Sequence, residues 1–371
     1  MFVESLSLRN FRNYEVLDVQ FEPSGHLFLG GNAQGKTNLL EAIHYLCVAK
    51  SQRNASDDEI IQYGAEHFSL KGRGFYAESR PLIVEIYAER QGGRRLKVNG
   101  SIRRRISDLL GLFCVVNFSP EDVAVVAGPP RYRRRFLNFL ICQISSSYLT
   151  SLQEYKRILQ QRNTALRAKP GGRWAVADAD DLEVWDQQLV ETGTRIISKR
   201  REVLRKLNPQ VGQFHRRISD GGEQISLAYK PAVELSEGSE IADQFRAALS
   251  RQRDRELKFG ITLVGPHRDE VDMTIDNMNL RAFGSQGQHR TAAIAFKLAA
   301  AQFLKHARGE QPILLLDDVF AELDQKRTRL LFDLLAEFGQ LFITTAKESD
   351  LVGCGQNLHR MIISKGTVDR S

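Results

Sequence analysis

The residues whose types and spacing carry most chemistry are Gly30-Gly31-Asn32-Ala33-Gln34-Gly35-Lys36-Thr37. They satisfy G-x-x-x-x-G-K-[ST], in which glycines let backbone N–H groups close around phosphate oxygens at the positive end of a helix. Lys36 would then reach the β- and γ-phosphates of a nucleoside triphosphate, and Thr37 would ligate Mg²⁺. Such a loop needs a carboxylate delivered by a second strand, and Ile313-Leu314-Leu315-Leu316-Asp317-Asp318 supplies two. Asp317 would hold Mg²⁺ through water, while Asp318 would orient or deprotonate the attacking water. Each feature alone has a plainer reading, a glycine-rich turn before a helix and two capping or solvated aspartates after a core strand. Together they predict a nucleoside triphosphatase.

Ser285-Gln286-Gly287-Gln288 precedes a long helical stretch, and a serine hydroxyl beside a helix N-terminus makes an anion site suited to a γ-phosphate. Its plainer reading is a helix N-cap with its turn. Ala321-Glu322-Leu323-Asp324 follows the aspartate pair.

These groups need elements to position them. The chain opens with an alternating strand from Phe2 to Leu8, a polar turn around Asn10 to Asn13 and a second strand; a third, His26 to Leu29, breaks into the loop glycines. A helix is expected over Lys36 to Val48, with Leu39, Leu40, Ile43, Leu46 and Cys47 on one face. Pro81 to Glu89 and Arg94 to Val98 flank Gln91-Gly92-Gly93 as a hairpin. From Arg131 to Leu207 the periodicity is helical, broken at Lys169-Pro170-Gly171-Gly172. After Gly260, strands are expected at Ile261 to Val264 and Val271 to Ile275, then a long helix from about Gly287 to Lys305. Two apolar runs, Ile313 to Leu316 and Leu341 to Thr344, do not alternate, as suits parallel strands covered on both faces.

A chain of 371 residues is long enough for two or three domains or lobes, and 42% hydrophobic with 26% charged residues is ordinary globular usage. Lys and Arg number 52 against 45 Asp and Glu, a net +7 that favours a polyanionic partner such as nucleic acid. Cys47, Cys114, Cys142 and Cys354 form no C-x-x-C pair, so neither a zinc ribbon nor a disulfide framework is expected. With no leader pattern and no apolar run near the ~20 residues that span a bilayer, the expected place is the cytoplasm.

The loop, the Ser285 segment as a signature motif and Ala321 to Asp324 as a D-loop resemble the ABC-type ATPase superfamily. Within it the sequence resembles the RecF family of bacterial recombination mediators, relatives of SMC proteins and RecN, nearly end to end. The resemblance rests on Leu8-Arg9-Asn10-Phe11-Arg12-Asn13-Tyr14, Ser51 to Gly64, Phe118-Ser119-Pro120-Glu121-Asp122, Arg133-Arg134-Arg135-Phe136-Leu137, Gln161-Arg162-Asn163, Gly265-Pro266-His267-Arg268-Asp269 and Leu314 to Asp324.

This resemblance implies an α/β fold: an ABC-type ATPase head with a mixed P-loop sheet and helices, formed by residues 1–120 and 260–371, and an inserted, mostly helical arm lobe over 121–259. It implies ATP and Mg²⁺ as ligands, an ATP-dependent head-to-tail homodimer in which Ser285, Gly287 and Gln288 face the other subunit's phosphate, and slow hydrolysis that resets a DNA-bound clamp. Single-stranded, double-stranded or gapped DNA, RecR and RecO are the implied partners, with RecA loaded at gaps. In two respects the chain departs from the superfamily. The catalytic glutamate is here Asp318, as in RecF-like proteins, and the switch histidine is replaced by Thr344 or Thr345.

Other features stay open. Asn117 or Ser119 could replace the lid glutamine, and Arg12 sits where relatives contact nucleotide, or is an exposed hairpin arginine. His267 with Asp269 suggests a metal pair or, with no further ligand nearby, a structural or switch role. Arg103-Arg104-Arg105 and Arg131-Tyr132-Arg133-Arg134-Arg135 either grip DNA phosphates or form a solvated, salt-bridged face. A transporter's nucleotide-binding subunit is the alternative class, but it lacks the roughly 250 residues that separate Lys36 from Ser285 here and carries the switch histidine. A small-molecule kinase would leave the Ser285 and Ala321 segments unexplained.

Overall fold

The computed structural model describes residues 1–76, 80–167, 179–219, 221–236, 238–351, 354–355 and 357–370; the breaker cluster at Lys169 to Gly172 lies outside them. The chain falls into two compact units, the first of residues 1–123, 213–223 and 290–371, the second of residues 124–212 and 224–289. Among the described residues no helix is long and apolar enough to cross a membrane.

In the N-terminal part the elements are β1 (Phe2–Phe11), β2 (Tyr14–Gln20), β3 (Gly25–Leu29), α1 (Lys36–Val48), α2 (Asp57–Ile60), β4 (His67–Tyr76), β5 (Arg80–Glu89), β6 (Arg94–Val98), β7 (Ser101–Arg103) and β8 (Val115–Phe118). The middle holds α3 (Val123–Ala127), α4 (Pro130–Cys142), α5 (Ser146–Arg167), α6 (Ala179–Ser219), β9 (Ile225–Lys230) and α7 (Ile241–Phe259). Then come β10 (Glu270–Ile275), β11 (Met278–Asn279), α8 (Leu280–Phe283), α9 (Gln286–Arg308), β12 (Ile313–Asp317), α10 (Gln325–Leu335), β13 (Leu341–Thr345), β14 (His359–Ser364) and β15 (Thr367–Arg370).

The first unit contains two six-stranded sheets. One is antiparallel, in the order β2-β1-β4-β5-β6-β7; the other, β15-β14-β3-β13-β12-β8, is parallel except for its edge strand β15. Helix α1 is buried almost all round because it packs against strands of both sheets; Gly72 of β4 leaves room there, since a Cβ would lie 2.3 Å from the Leu46 side chain as it is placed. In the parallel sheet the pairings Leu29 with Thr345 and Thr344 with Asp317 put the carboxyl ends of β3, β13 and β12 side by side, the end where open α/β sheets bind ligands.

The second unit joins helices α4 to α7 to a small sheet, β11-β10-β9. Residues 260–289 group here, across the boundary drawn at 259/260 from sequence, because β10 pairs along its length with β9. Ile261 to Val264, expected as a strand, is not one. Thr262 donates its N–H (2.8 Å) and hydroxyl (2.7 Å) to Asn163 Oδ1, and the Leu263 N–H goes to Glu256 Oε1 (2.7 Å), so side chains satisfy the backbone where a neighbouring strand would.

The same place holds a network of buried charge. Arg162, wholly buried, bonds Asp186 (2.6 Å), Glu256 (2.6 Å) and Thr262 (2.8 Å). Removing one partner from such a pair costs about 3–5 kcal/mol, because the other charge is left uncompensated. His267 donates from Nε2 to the Thr262 carbonyl (3.1 Å) and accepts the Tyr155 hydroxyl at Nδ1 (2.7 Å), and burial pulls it down to about 4, so the ring is neutral at physiological pH. Asp269 accepts from Arg200 (2.7 Å), the Ala232 N–H (3.0 Å) and the Tyr229 hydroxyl. The pair is therefore structural: both nitrogens of His267 are spent, and Asp269 is fully hydrogen-bonded within the fold.

Candidate nucleotide site

Residues 30–37 join β3 to α1 as the sequence predicts, and the backbone explains which glycines matter. Gly30 (φ 156°) and Gly35 (φ 116°) adopt conformations that disfavour a side chain; a Cβ would lie 2.3 Å from the Ile363 carbonyl at the first and 2.5 Å from Asn13 Nδ2 at the second. Gly31 has neither constraint, its nearest neighbour being Gln34 Cγ at 3.9 Å. Gly31, Asn32 and Ala33 are exposed at the crown, Gln34 is half-buried beneath them, and Gly35 is buried and caps α1 with no side-chain acceptor for the first helical N–H groups. Those donors point out of the helix start, as an anion requires.

Lys36 is only 8% exposed. Its ammonium donates to the carbonyls of Gly30 (2.6 Å) and Gly31 (2.8 Å), leaving one of three donors for a phosphate oxygen. Burial pulls it below the usual lysine range, opposed by the charges of Asp318 and Asp317. Thr37 donates its hydroxyl to Asp317 Oδ1 (2.9 Å), which brings together the two metal-ligating residues expected from sequence.

Asp317 ends β12, and burial holds its carboxyl above the usual carboxylate range even though two hydroxyls, Thr344 and Thr37, donate to it. Asp318 follows in the left-handed region (φ 52°), and its Oδ1 is buried without a hydrogen-bond partner among the described residues. Burial and then the Asp317 charge raise it as well, against Lys36. Two adjacent carboxylates that resist ionisation, one with an orphaned oxygen, beside a threonine hydroxyl are hard oxygen donors that fit Mg²⁺.

Thr344 and Thr345 are both fully buried. Thr344 Oγ1 donates to Asp317 (2.8 Å) and accepts the Asp318 N–H (3.0 Å), while Thr345 bonds Asp350 (2.9 Å) and the Lys347 carbonyl (3.1 Å). Of the two residues that stand in place of the switch histidine, Thr344 holds the aspartate pair and Thr345 anchors the following turn.

Sequence reasoning missed the residues that hold the loop from outside. Asn13 Nδ2 donates to the Gln34 carbonyl (3.1 Å), the Tyr14 hydroxyl to the Gly35 carbonyl (3.0 Å), and the N–H groups of Lys365 (2.9 Å) and Gly366 (3.1 Å) to Gln34. Arg12 spends its guanidinium on Glu41 of α1 (2.9 and 3.1 Å) and the Glu59 carbonyl (2.7 Å), bracing the same helix. In the lid, Asn117 Oδ1 is buried without a partner among the described residues and the Asn117 carbonyl accepts Lys297 (2.7 Å), whereas the Ser119 N–H is taken by Asp122 (2.8 Å). Lys297, an ammonium in the apolar run of α9, also pairs with Asp122 at 2.7 Å.

Ser285 lies exposed in the second unit before α9. Its hydroxyl accepts the Gln288 N–H (3.2 Å) and Gln288 Oε1 accepts the Ser285 N–H (2.8 Å), the reciprocal bonds of a capping box. Gly287 is half-buried beside them. In the first unit, Arg290 pairs with Glu322 (2.6 Å), and Asp324 caps α10 through the Arg327 N–H (2.9 Å).

The two arginine runs part company. Arg103, Arg104 and Arg105 are all exposed. Arg133 is only 3% exposed and cannot meet DNA: it pairs with Glu270 (2.6 and 2.7 Å) and donates to the carbonyls of Val125, Val126 and Gly128. Its spacing from Leu137, Leu140 and Ile141, i to i+4, i+7 and i+8, is the signal that marks it as inward. Arg134 is half-buried on the Asp269 carbonyl (2.6 Å), and Arg135 is exposed.

Compared with known proteins, residues 2–369 match the family described as RecF/RecN/SMC N terminal domain. The chain is 40% identical over 349 residues to the DNA replication and repair protein RecF of Halalkalibacterium halodurans, covering 93% of this chain and 92% of that one. With the protein of the same name from Symbiobacterium thermophilum it shares 39% over 356 residues, 95% and 93% of the two chains. A solved structure of the recombination mediator protein RecF with ATP, in the RecFOR pathway, superposes with a TM-score of 0.91 at 33% identity over 100% of this chain and 97% of that one. An Smc head domain from Pyrococcus furiosus gives 0.59 at 15% identity over 100% and 96%, a likeness of fold alone.

Proposed function

The chain belongs to the RecF/RecN/SMC N-terminal domain family, with the ABC-type ATPase head fold, and from that premise we propose that it is an ATP-switched DNA-binding clamp of DNA replication and recombinational repair. The observation that carries this reading is the convergence of Lys36, Thr37, Asp317 and Asp318 at the carboxyl end of one parallel sheet.

Lys36 gives its remaining donor to the β- and γ-phosphates, and the free N–H groups at the start of α1 take neighbouring oxygens. Thr37 and Asp317 would hold Mg²⁺, which would offset the charge that builds on the transferred phosphoryl group. Thr344 keeps Asp317 oriented. Asp318 positions the attacking water and accepts its proton; it is one methylene shorter than the superfamily's glutamate, which suits slow turnover. Ser285, Gly287 and Gln288 of a second copy close on the γ-phosphate, so two copies join head to tail when ATP is bound and part after hydrolysis.

ATP binding is thus the signal and hydrolysis the release. DNA is the polyanionic partner; action with RecR and RecO is supported by the RecFOR pathway named for the ATP-bound relative, and help in recombinase loading belongs to the same proposal. The cytoplasm is the expected place of action. Sedimentation with and without ATP, and with and without duplex DNA, tests the proposal: ATP should produce a dimer that binds the duplex. A dimer with ATP but no affinity for DNA is the outcome expected of a transporter subunit and would overturn it.

A further inference from the structure

Ser285 is reached through a short segment that holds an aromatic ring out to solvent. Phe283 closes α8 and is 75% exposed. That exposure does not come from a loose chain. Asn279 Oδ1 accepts the Ala282 N–H (3.1 Å), the Leu280 side chain is buried, and the Leu280 carbonyl accepts both the Gly284 N–H (2.8 Å) and His289 Nε2 of α9 (2.8 Å). Gly284 fits among these groups because it has no side chain: a Cβ would lie 2.5 Å from the Leu280 carbonyl oxygen and 2.6 Å from His289 Nε2. Phe283 and Ser285 are therefore fixed relative to each other, one on either side of Gly284.

A single exposed apolar residue is ordinary on a protein surface and needs no partner. Phe259, which closes α7 in the same unit, is such a residue at 56% exposed. Phe283 differs in what stands beside it. Two residues of extended chain span at most about 7 Å, so a surface that meets the Ser285 hydroxyl comes within reach of the Phe283 ring. In the head-to-tail arrangement that surface is the phosphate loop of a second copy, whose exposed crown of Gly31, Asn32 and Ala33 has little bulk to keep a ring away. An aromatic side chain has few rotatable bonds, and here its backbone is already pinned, so docking it costs little conformational entropy. A DNA phosphate backbone, polar and charged, offers such a ring nothing apolar to pack on.

We propose that Phe283 anchors the contact between two copies of this chain: as ATP draws Ser285 onto the second copy's phosphate loop, the ring is buried on the surface around that loop. The anchor deepens the head-to-tail reading of the preceding subsection and rests on it. Twofold symmetry makes the contact twice in each dimer, so one substitution removes two rings.

The test compares wild type with Phe283→Ser, with Phe259→Ser as a matched control, and with Phe283→Trp. Each is sedimented over a range of protein concentrations with and without ATP, and its melting, and its ATP affinity at a dilution where it is monomeric, are measured alongside. Phe283→Ser should melt and bind ATP like wild type, yet dimerise about 100-fold more weakly with ATP, about 10-fold for each lost ring. Phe259→Ser should dimerise like wild type. Phe283→Trp should still dimerise, and ATP should move its emission to the blue by more than it moves that of wild type, because the new indole leaves water. A Phe283→Ser protein that dimerises like wild type, an equal loss in Phe259→Ser, or an emission from dimeric Phe283→Trp that ATP leaves in place overturns the anchor alone. A blue shift given by duplex DNA without ATP assigns the ring to DNA and overturns it as well. Wild-type protein that stays monomeric with ATP overturns the head-to-tail reading and the anchor with it.

Discussion

The phosphate loop and the Ser285 turn, the two anion sites proposed above, are built in opposite ways. The loop is finished within its own unit: Lys36 is buried on two loop carbonyls, and Asn13 and Tyr14 from one segment and Lys365 and Gly366 from another tie Gln34 and Gly35. The Ser285 turn is exposed and held chiefly by bonds to its own helix, with Phe283, two residues earlier, 75% exposed. One is preorganised before any phosphate arrives, as the proposed function requires; the other is a displayed surface with an apolar neighbour that water solvates poorly. The difference is what the proposed composite site requires, one half completed by folding and the other left for association.

Breaking the finished half should cost most. Lys36→Arg keeps the charge but not the compact ammonium that fits between the loop carbonyls and the phosphates, so hydrolysis should fall on the order of 10³-fold while some nucleotide binding survives, as paired turnover and binding assays would record. Asp318→Asn removes the proton acceptor and leaves Asp317; turnover should drop roughly 10²-fold or more, and the ATP-bound dimer should stay longer on DNA. Unchanged dissociation kinetics would reassign the catalytic role. The same substitution should raise the melting temperature of the metal-free protein. Asp317 and Asp318 both have raised folded-state pKa values, so their contribution to stability is present below the ordinary carboxylate range and is lost as pH rises through the raised values, and an amide at 318 avoids part of that loss.

Smaller effects sharpen the comparison. Thr344→Val removes one hydroxyl from Asp317 and should weaken the Mg²⁺ dependence of nucleotide binding about 10-fold, with nucleotide affinity in the absence of Mg²⁺ little changed. Gly31→Ala should leave folding stability within about 0.5 kcal/mol, whereas Gly30→Ala should destabilise strongly; equal thermal melts for the two would contradict the loop geometry.

What was legible in the sequence is what local pattern encodes. The loop, α1 and the non-alternating strands β12 and β13 announce themselves by glycine spacing and apolar runs. The supports do not, because Asn13, Lys365 and Thr344 are ordinary turn and strand residues whose role comes from partners far along the chain. Lys297 is hidden in the same way, a cation within an apolar helix whose acid, Asp122, lies on another segment. The arginine runs show both sides of the limit. Helical periodicity turns Arg133 inward, and that could be read; the three-residue strand β7 is too short for alternation to say which way Arg103 faces, and only its register opposite Leu96 settles it. The strand expected at Ile261 to Val264 failed because Asn163 and Glu256 supply the acceptors a strand would have given.

The central claim, a site completed only by a second copy, is tested most directly by sedimentation of wild type and Ser285→Arg with and without ATP, each protein's ATP affinity being measured alongside. The account predicts that ATP converts wild type to a dimer, while Ser285→Arg binds ATP within about twofold of wild type yet stays monomeric and inert in hydrolysis, since a bulky cation blocks closure. An ATP-dependent dimer of Ser285→Arg, turning over like wild type, would contradict it.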